Sequence, residues 1–181
     1  MTIATTPLRT LGALTAGMLA LGMLAGCTPT PEPDPTPTET ALFSSEEEAF
    51  AAAEETYRAY TDAVNATDLS DLSTIEPVYA LLTDPAEAAS RKNYSLYHAE
   101  SVTRTGMTSF DRFTPFSYED ELVTARVCLD VSEVDLLNAE GVSIVPAGRS
   151  PRQAIELEMV PGDSQTGLVI RSNTIAENFK C

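Results

Sequence analysis

Apolar residues between positions 44 and 68 recur every three to four positions, which is the period of an amphipathic helix. A serine pair followed by three glutamates, Ser44 to Glu48, supplies an N-cap, a capping box and acids that complement the helix dipole. The positions that share one face are Phe50, Ala53, Tyr57, Tyr60 and Val64. This pattern predicts a long helix that ends between residues 65 and 68.

Two further helical patterns follow before residue 100. The first spans 72–82, with Pro77 in its first turn and an apolar face made by Ile75, Val78, Tyr79 and Leu82. The second opens with Asp84 as N-cap and Pro85 in the first turn, and runs to Ala99. Three helices are therefore expected in the N-terminal half of the domain.

After residue 100 the apolar period changes to two, which is typical of half-buried strands. Strands are predicted at 122–131, 152–160 and 168–175, with a weaker one at 102–110 and a short segment at 134–137 before a turn at 138–141. The connections are too short for crossover helices, so the sheet should be antiparallel. We expect an α+β fold with three N-terminal helices packed on a curved antiparallel sheet of four to five strands.

The net charge of the chain argues against some classes of binding partner. The 181 residues carry 27 acids and 11 bases, a formal net charge of -16, and no basic stripe offsets it. Such a surface repels phosphate backbones, so no nucleic-acid partner is expected. The scattered arginines also make no basic patch that docks on anionic lipid.

Residues 1–26 have the layout of a secretory signal peptide. A single base, Arg9, precedes an uncharged apolar run from Leu11 to Leu24, and small residues follow it. Glycines interrupt the run, which is shorter than the roughly 20 residues of a membrane span, so a cleaved leader is favoured over an uncleaved anchor.

The residues Leu24-Ala25-Gly26-Cys27 resemble a bacterial lipobox, the leucine-small-small-cysteine pattern of lipoprotein precursors. The resemblance implies that Cys27 receives a diacylglycerol and becomes the first residue of the mature protein. The alternative is a third cysteine left as a free thiol or in a disulfide. Two acyl chains anchor stably, so the implied partner is the membrane and the implied location is its outer, extracytoplasmic face.

Residues 27–43 then form a tether, and 44–181 form the domain. The tether has proline at every second position from Pro29 to Pro37, which favours extended polyproline II and builds no core.

If Cys27 carries lipid, Cys128 and Cys181 remain as a pair in a compartment where disulfides persist. Alternation places Cys128 on the strand face opposite Val127 and Leu129. A structural bridge would hold the C-terminal tail on that outward face. A redox pair is the alternative, although no CxxC spacing is present.

The helices-then-strands order, the acidic first helix and the VCLDVS strand with its C-terminal cysteine resemble the small NTF2-like (cystatin-like) lipoproteins of actinobacteria. That resemblance implies a cone between helices and sheet. The polar-tipped residues that could line such a cone are Tyr57, Tyr60, Tyr79, Tyr94, Tyr97 and His98.

Three functions are compatible with this sequence. The preferred one is a non-enzymatic domain that binds a small apolar ligand or an envelope protein. The others are an isomerase- or cyclase-type NTF2-like enzyme using a tyrosine with His98, and an accessory lipoprotein with a filled cone. The sequence contains no nucleotide-binding, hydrolase or metal-ligand motif, so no catalytic residue, metal or cofactor is assigned.

Overall fold

The computed structural model describes residues 41–181. The predicted leader, Cys27 and the tether up to residue 40 lie outside this range. The described part of the chain has three α-helices and six strands. They are α1 (Glu46–Asn65), α2 (Glu76–Tyr79), α3 (Ala86–Ala99), β1 (Thr103–Thr105), β2 (Ser109–Glu119), β3 (Leu122–Asp130), β4 (Asp135–Leu137), β5 (Arg152–Pro161) and β6 (Leu168–Ile175). Within this range no helix is both long and apolar enough to cross a membrane.

The predicted first helix is confirmed together with its cap. Ser45 is the N-cap, and its hydroxyl accepts from the Glu48 amide at 3.2 Å. The Glu48 carboxylate in turn accepts from the amide and hydroxyl of Ser44, at 2.9 and 2.7 Å, which completes a capping box shared by the two serines. The helix buries Ala53 and Tyr57 against the sheet, as its period predicts.

The second predicted helix is much shorter than expected. A 3₁₀ turn, Leu72–Ile75, leads into the single α-turn of α2, which holds Pro77 in its first turn. The following residues leave the helix because they pair with β6. Leu82 forms a parallel bridge with Ile170, and the Thr83 amide donates to the Ile170 carbonyl at 2.9 Å. The tertiary pairing satisfies these backbone groups and covers the edge of β6.

The predicted N-cap of the third helix is wrong by one residue. Pro85 occupies the cap position without a side-chain hydrogen bond, and α3 begins at Ala86. The Glu87 amide instead donates to the Thr83 carbonyl at 3.0 Å, so backbone oxygen replaces the expected Asp84 side chain.

The main sheet has four antiparallel strands in the order β2-β3-β5-β6, and β1 and β4 form a separate two-stranded antiparallel sheet. Register shifts in the β2–β3 and β5–β6 pairs mark β-bulges, which bend and twist the strands. Helix α1 packs against β2, β3 and β6, and α3 packs against β6. The predicted α+β class, with three helices on one face of an antiparallel sheet, is confirmed.

The alternation predicted for the two central strands is also confirmed. On β3 the residues Val123, Ala125 and Val127 are buried in the core. On β5 the core positions are Ile155, Leu157 and Met159. Phe43, which the sequence places at the end of the tether, is buried as well, and its ring lies 5.9 Å from that of Tyr118.

The predicted strand at 102–110 is two elements. β1 ends at Thr105, Gly106 follows with φ of +73°, and β2 starts at Ser109. A Cβ at Gly106 would lie 1.9 Å from the Glu133 carbonyl oxygen, so a larger residue cannot occupy this turn. β2 extends to Glu119 along the edge of the sheet, where its bulges disrupt the period-two pattern.

Cys128 and Cys181 form a disulfide, with their Cα atoms 5.5 Å apart. Cys128 is fully buried yet lies outside the main core cluster, because the C-terminal tail covers it on the outer face of the sheet. The Arg112 guanidinium also binds the tail, donating to the Lys180 carbonyl and lying 5.6 Å from the Phe179 ring centre. The predicted pairing is therefore what the structure shows.

Candidate functional site

A cleft of about 270 Å³ opens between α1, α3, β6 and the small β1–β4 sheet. Residues on α3 reach it at helical spacing, so one side of that helix forms a wall. Ala86 is the only fully buried residue of α3, and Tyr94 is partly buried against the core. The lining residues are Tyr60, Val64, Leu69, Leu82, Ala86, Ala89, Ser90, Asn93, Tyr94, Tyr97, Arg104, Val134, Leu136 and Asn173.

A second cavity of about 310 Å³ adjoins the cleft across Tyr60, Val64 and Asn173, which line both. The Asn173 side-chain amide donates to the Tyr60 hydroxyl at 3.4 Å, within this shared wall. The remaining residues of the second cavity are Tyr57, Thr61, Thr108, Leu129, Gln153, Ile155 and Ile175. The two spaces lie side by side beneath the C-terminal half of α1.

The tyrosine hydroxyls of this region are held in the neutral form. Burial raises the pKa of Tyr57, whose ring packs edge-on against Phe110 at 4.9 Å. Burial also raises the pKa of Tyr60, an effect that the hydrogen bond from Asn173 reduces. Burial, with the nearby Tyr60 adding to it, raises the pKa of Tyr94 to about 12. At neutral pH these groups are hydroxyl donors and acceptors in apolar surroundings.

Arg104 places a positive charge in the wall of the cleft. It lies on β1 opposite Leu136 of β4, and its side chain crosses to the end of α1. One nitrogen, Nη2, donates to the Asn65 Oδ1 atom at 3.0 Å and to the Thr108 hydroxyl at 2.9 Å. The other, Nη1, donates to the Val64 carbonyl at 3.4 Å. Desolvation lowers the pKa of Arg104, partly offset by Tyr94. All three recorded acceptors are uncharged.

The tyrosines predicted to line a cone do not all lie in one cavity. Tyr60 and Tyr97 line the cleft, as does Tyr94, and Tyr57 lines the second cavity. Tyr79 lies outside both spaces, with its ring 6.1 Å from that of Tyr94 and beneath the Arg91 guanidinium at 3.9 Å.

His98 also lies outside both cavities. Its Nδ1 atom is 2.9 Å from the Leu69 carbonyl oxygen, which it meets at the end of α3. Among residues 41–181, no hydrogen bond joins Tyr57, Tyr97 and His98 to one another. The tyrosine–histidine arrangement of the enzymatic hypothesis is not assembled here.

Arg104 and Asn173 are site residues that the sequence analysis missed. Arg104 lies in the threonine-rich segment that the sequence predicts as a single weak strand. Asn173 lies in β6, a strand that the sequence predicts correctly. Neither has a motif around it. Their roles depend on how the β1–β4 sheet and β6 meet α1 and α3, which local periodicity does not encode.

No three histidine, cysteine, aspartate or glutamate side chains in the described part of the chain are grouped so that they could hold a metal ion.

No protein-family model matches the chain, and no curated protein matches it significantly. Solved structures with a similar backbone trace include a candidate aromatic ring hydroxylase from Novosphingobium aromaticivorans. The two chains are 15% identical, and the match covers 75% of this chain and 93% of that one with a TM-score of 0.48. Aln2 from a Streptomyces species is 15% identical, and the match covers 72% of this chain and 91% of Aln2 with a TM-score of 0.44. A Catenulispora acidiphila protein in complex with S-DNPA is 14% identical, and the match covers 72% of this chain and 93% of that protein with a TM-score of 0.44. These likenesses carry no activity or ligand over to this chain.

Proposed function

We propose that this protein is a lipid-anchored envelope protein whose α+β domain binds a small, mainly apolar molecule in the cleft between α1 and α3. The observation that carries the proposal is the cleft itself. It reaches from the surface at Asn93 to buried Leu82 and Ala86, and side chains do not fill it.

The chemistry of the walls supports an aromatic or alicyclic ligand. Aliphatic side chains and tyrosine rings make up most of the surface, and a few polar tips stand among them. Small-molecule sites are usually built this way, with apolar walls for affinity and few polar groups for orientation. The volume suits a ligand with a body of two fused rings, and the adjoining cavity behind Tyr60 and Asn173 offers room for a larger one.

The anchor in this proposal is supported by the sequence alone. The lipobox-like residues Leu24 to Cys27 stand at the end of the apolar run, and the proline-rich segment follows directly. An acylated Cys27 would hold the domain at the outer face of the cell membrane.

Blocking the cleft should abolish binding of a neutral aromatic probe. In Ser90→Phe, a ring replaces a half-buried serine in the α3 wall and takes up space that the ligand needs. We expect affinity for 2-naphthamide, measured by isothermal titration calorimetry on the full chain, to fall by roughly tenfold or more. A protein-free sample in the same detergent is the blank.

The matched control is Ala88→Phe, which adds a ring to the exposed side of the same helix, outside the cleft lining. It should bind the probe as the natural chain does. Equal affinity in Ser90→Phe and Ala88→Phe would show that the probe binds elsewhere. If the natural chain binds neither 2-naphthamide nor its carboxylate analogue 2-naphthoate, the proposal fails.

A further inference from the structure

We propose that the molecule bound in the cleft carries a carboxylate, and that Arg104 pairs with it while the tyrosine-lined walls hold its apolar body. This inference rests on the proposed function and specifies the chemical class of the ligand. It starts from the composition of the lining, in which Arg104 is the only described residue that is charged at neutral pH.

The charge of Arg104 is not neutralised within the described range. Seven ion pairs are formed by residues 41–181, and Arg104 takes part in none of them. A guanidinium has five N–H donors, and three are used, all on neutral oxygens of Val64, Asn65 and Thr108. A partly buried cation with neutral partners and donors to spare is a binding group for an anion.

A purely structural role for Arg104 would be to join β1 to the end of α1. The loop after β1, which contains Thr108, is already joined to the end of α1 by two hydrogen bonds that do not involve Arg104. The Asn65 side-chain amide donates to the Thr108 carbonyl at 2.8 Å, and the Thr108 amide donates to Asn65 Oδ1 at 2.9 Å. The uncharged pair therefore fixes the loop, and it also fixes the guanidinium in one orientation. Such preorganisation lowers the cost of binding.

The local chemistry favours a carboxylate over a larger, doubly charged group. A guanidinium matches the planar geometry of a carboxylate, and neutral hydroxyls at Tyr60 and Tyr94 stand on the facing walls. No second base among the described residues lines the cleft to balance a dianion. The chain also has a net charge of -16, so a dianion would meet stronger long-range repulsion than a monoanion.

The test compares two ligands of the same shape that differ in charge, 2-naphthoate and 2-naphthamide. Their affinities for the full chain are measured by isothermal titration calorimetry at about pH 7.5, where the carboxylate is ionised. We expect 2-naphthoate to bind roughly ten- to a hundredfold more tightly, the range of a charge-assisted hydrogen-bonded pair. In Arg104→Gln this preference should vanish, because no cation remains to pair with the carboxylate.

Two further variants separate charge from structure. Arg104→Lys keeps the charge and should retain part of the preference. Arg58→Gln removes the same charge from the exposed side of α1, where Arg58 pairs with Glu54, and should leave the preference unchanged.

Equal binding of the two ligands to the natural chain would overturn the carboxylate inference and leave the proposed function standing. Loss of both ligands in Arg104→Gln and Arg104→Lys alike would show a structural role and also overturn it. If neither ligand binds the natural chain, the proposed function itself fails, and the inference fails with it.

Discussion

Replacing Cys181 with alanine should lower the melting temperature of the domain by roughly 10–15 °C. The disulfide to Cys128 joins positions 53 residues apart, and such a cross-link restricts the unfolded chain by about 4 kcal/mol on the chain-entropy model. Cys181 is exposed, so its removal breaks the bond without opening a cavity in the core. Most of the expected decrease in the free energy of unfolding therefore comes from loss of the cross-link.

A double-mutant cycle gives the sharpest form of this experiment. Cys128→Ala, Cys181→Ala and the double variant remove the same bond, so their melting temperatures, followed by circular dichroism, should fall together. Cys128→Ala should be slightly lower because that side chain is fully buried. Additive effects of the two single changes, or an unchanged melting temperature in Cys181→Ala, would contradict a structural bridge.

Replacing Cys27 with alanine should move the protein from the processed membrane fraction into soluble or unprocessed fractions. The thiol is the atom that would receive the diacylglycerol, and alanine offers no substitute. Two acyl chains give stable anchoring, so a processed chain without them should no longer require detergent for extraction. The measurement is immunoblotting of membrane and supernatant fractions from a bacterial host that processes lipoproteins, together with the intact mass of the purified protein.

Thr28→Ala is the matched control, since it changes the neighbouring residue and leaves the thiol in place. It should remain in the membrane fraction with the mass of a processed, acylated chain. Processed Cys27→Ala protein that still requires detergent for extraction would refute the lipid assignment.

The elements that the sequence predicted well are those whose burial follows from local periodicity. The long first helix has both its cap and its apolar face in the sequence, and β3 and β5 alternate without interruption because one face of each is core. The pairing of Cys128 and Cys181 is predicted from the assignment of Cys27 to lipid, which leaves these two cysteines as a pair in a compartment where disulfides persist, and the structure joins them.

The elements that the sequence predicted poorly are those set by tertiary contacts. Leu82 continues a helical pattern, yet it is extended because β6 offers it a backbone partner. β2 contains Pro115 and two register shifts, so it lacks the alternation of a strand and was recognised only at its start.

The candidate site shows the same division. As polar-tipped helix residues, Tyr60 and Tyr97 are predicted to line a cone, and both line the cleft. The same reasoning predicts His98 in the cone, but its ring is directed to the Leu69 carbonyl. Arg104 is not predictable from the sequence, because its place in the wall depends on a three-residue strand and on the hydrogen bond from the Asn65 side chain to the Thr108 carbonyl, 43 positions along the chain.

The most direct test of the account is to locate a bound aromatic molecule on the domain. The uniformly ¹⁵N-labelled full chain, titrated with 2-naphthoate and followed by amide NMR, should show saturable shifts concentrated in the cleft walls, at Ser90, Tyr94, Arg104 and Leu136. The outer face of the sheet, including Arg126 and Phe116, should be unaffected. Saturable shifts confined to the outer face, or no saturable shifts at all, would contradict a ligand site between α1 and α3.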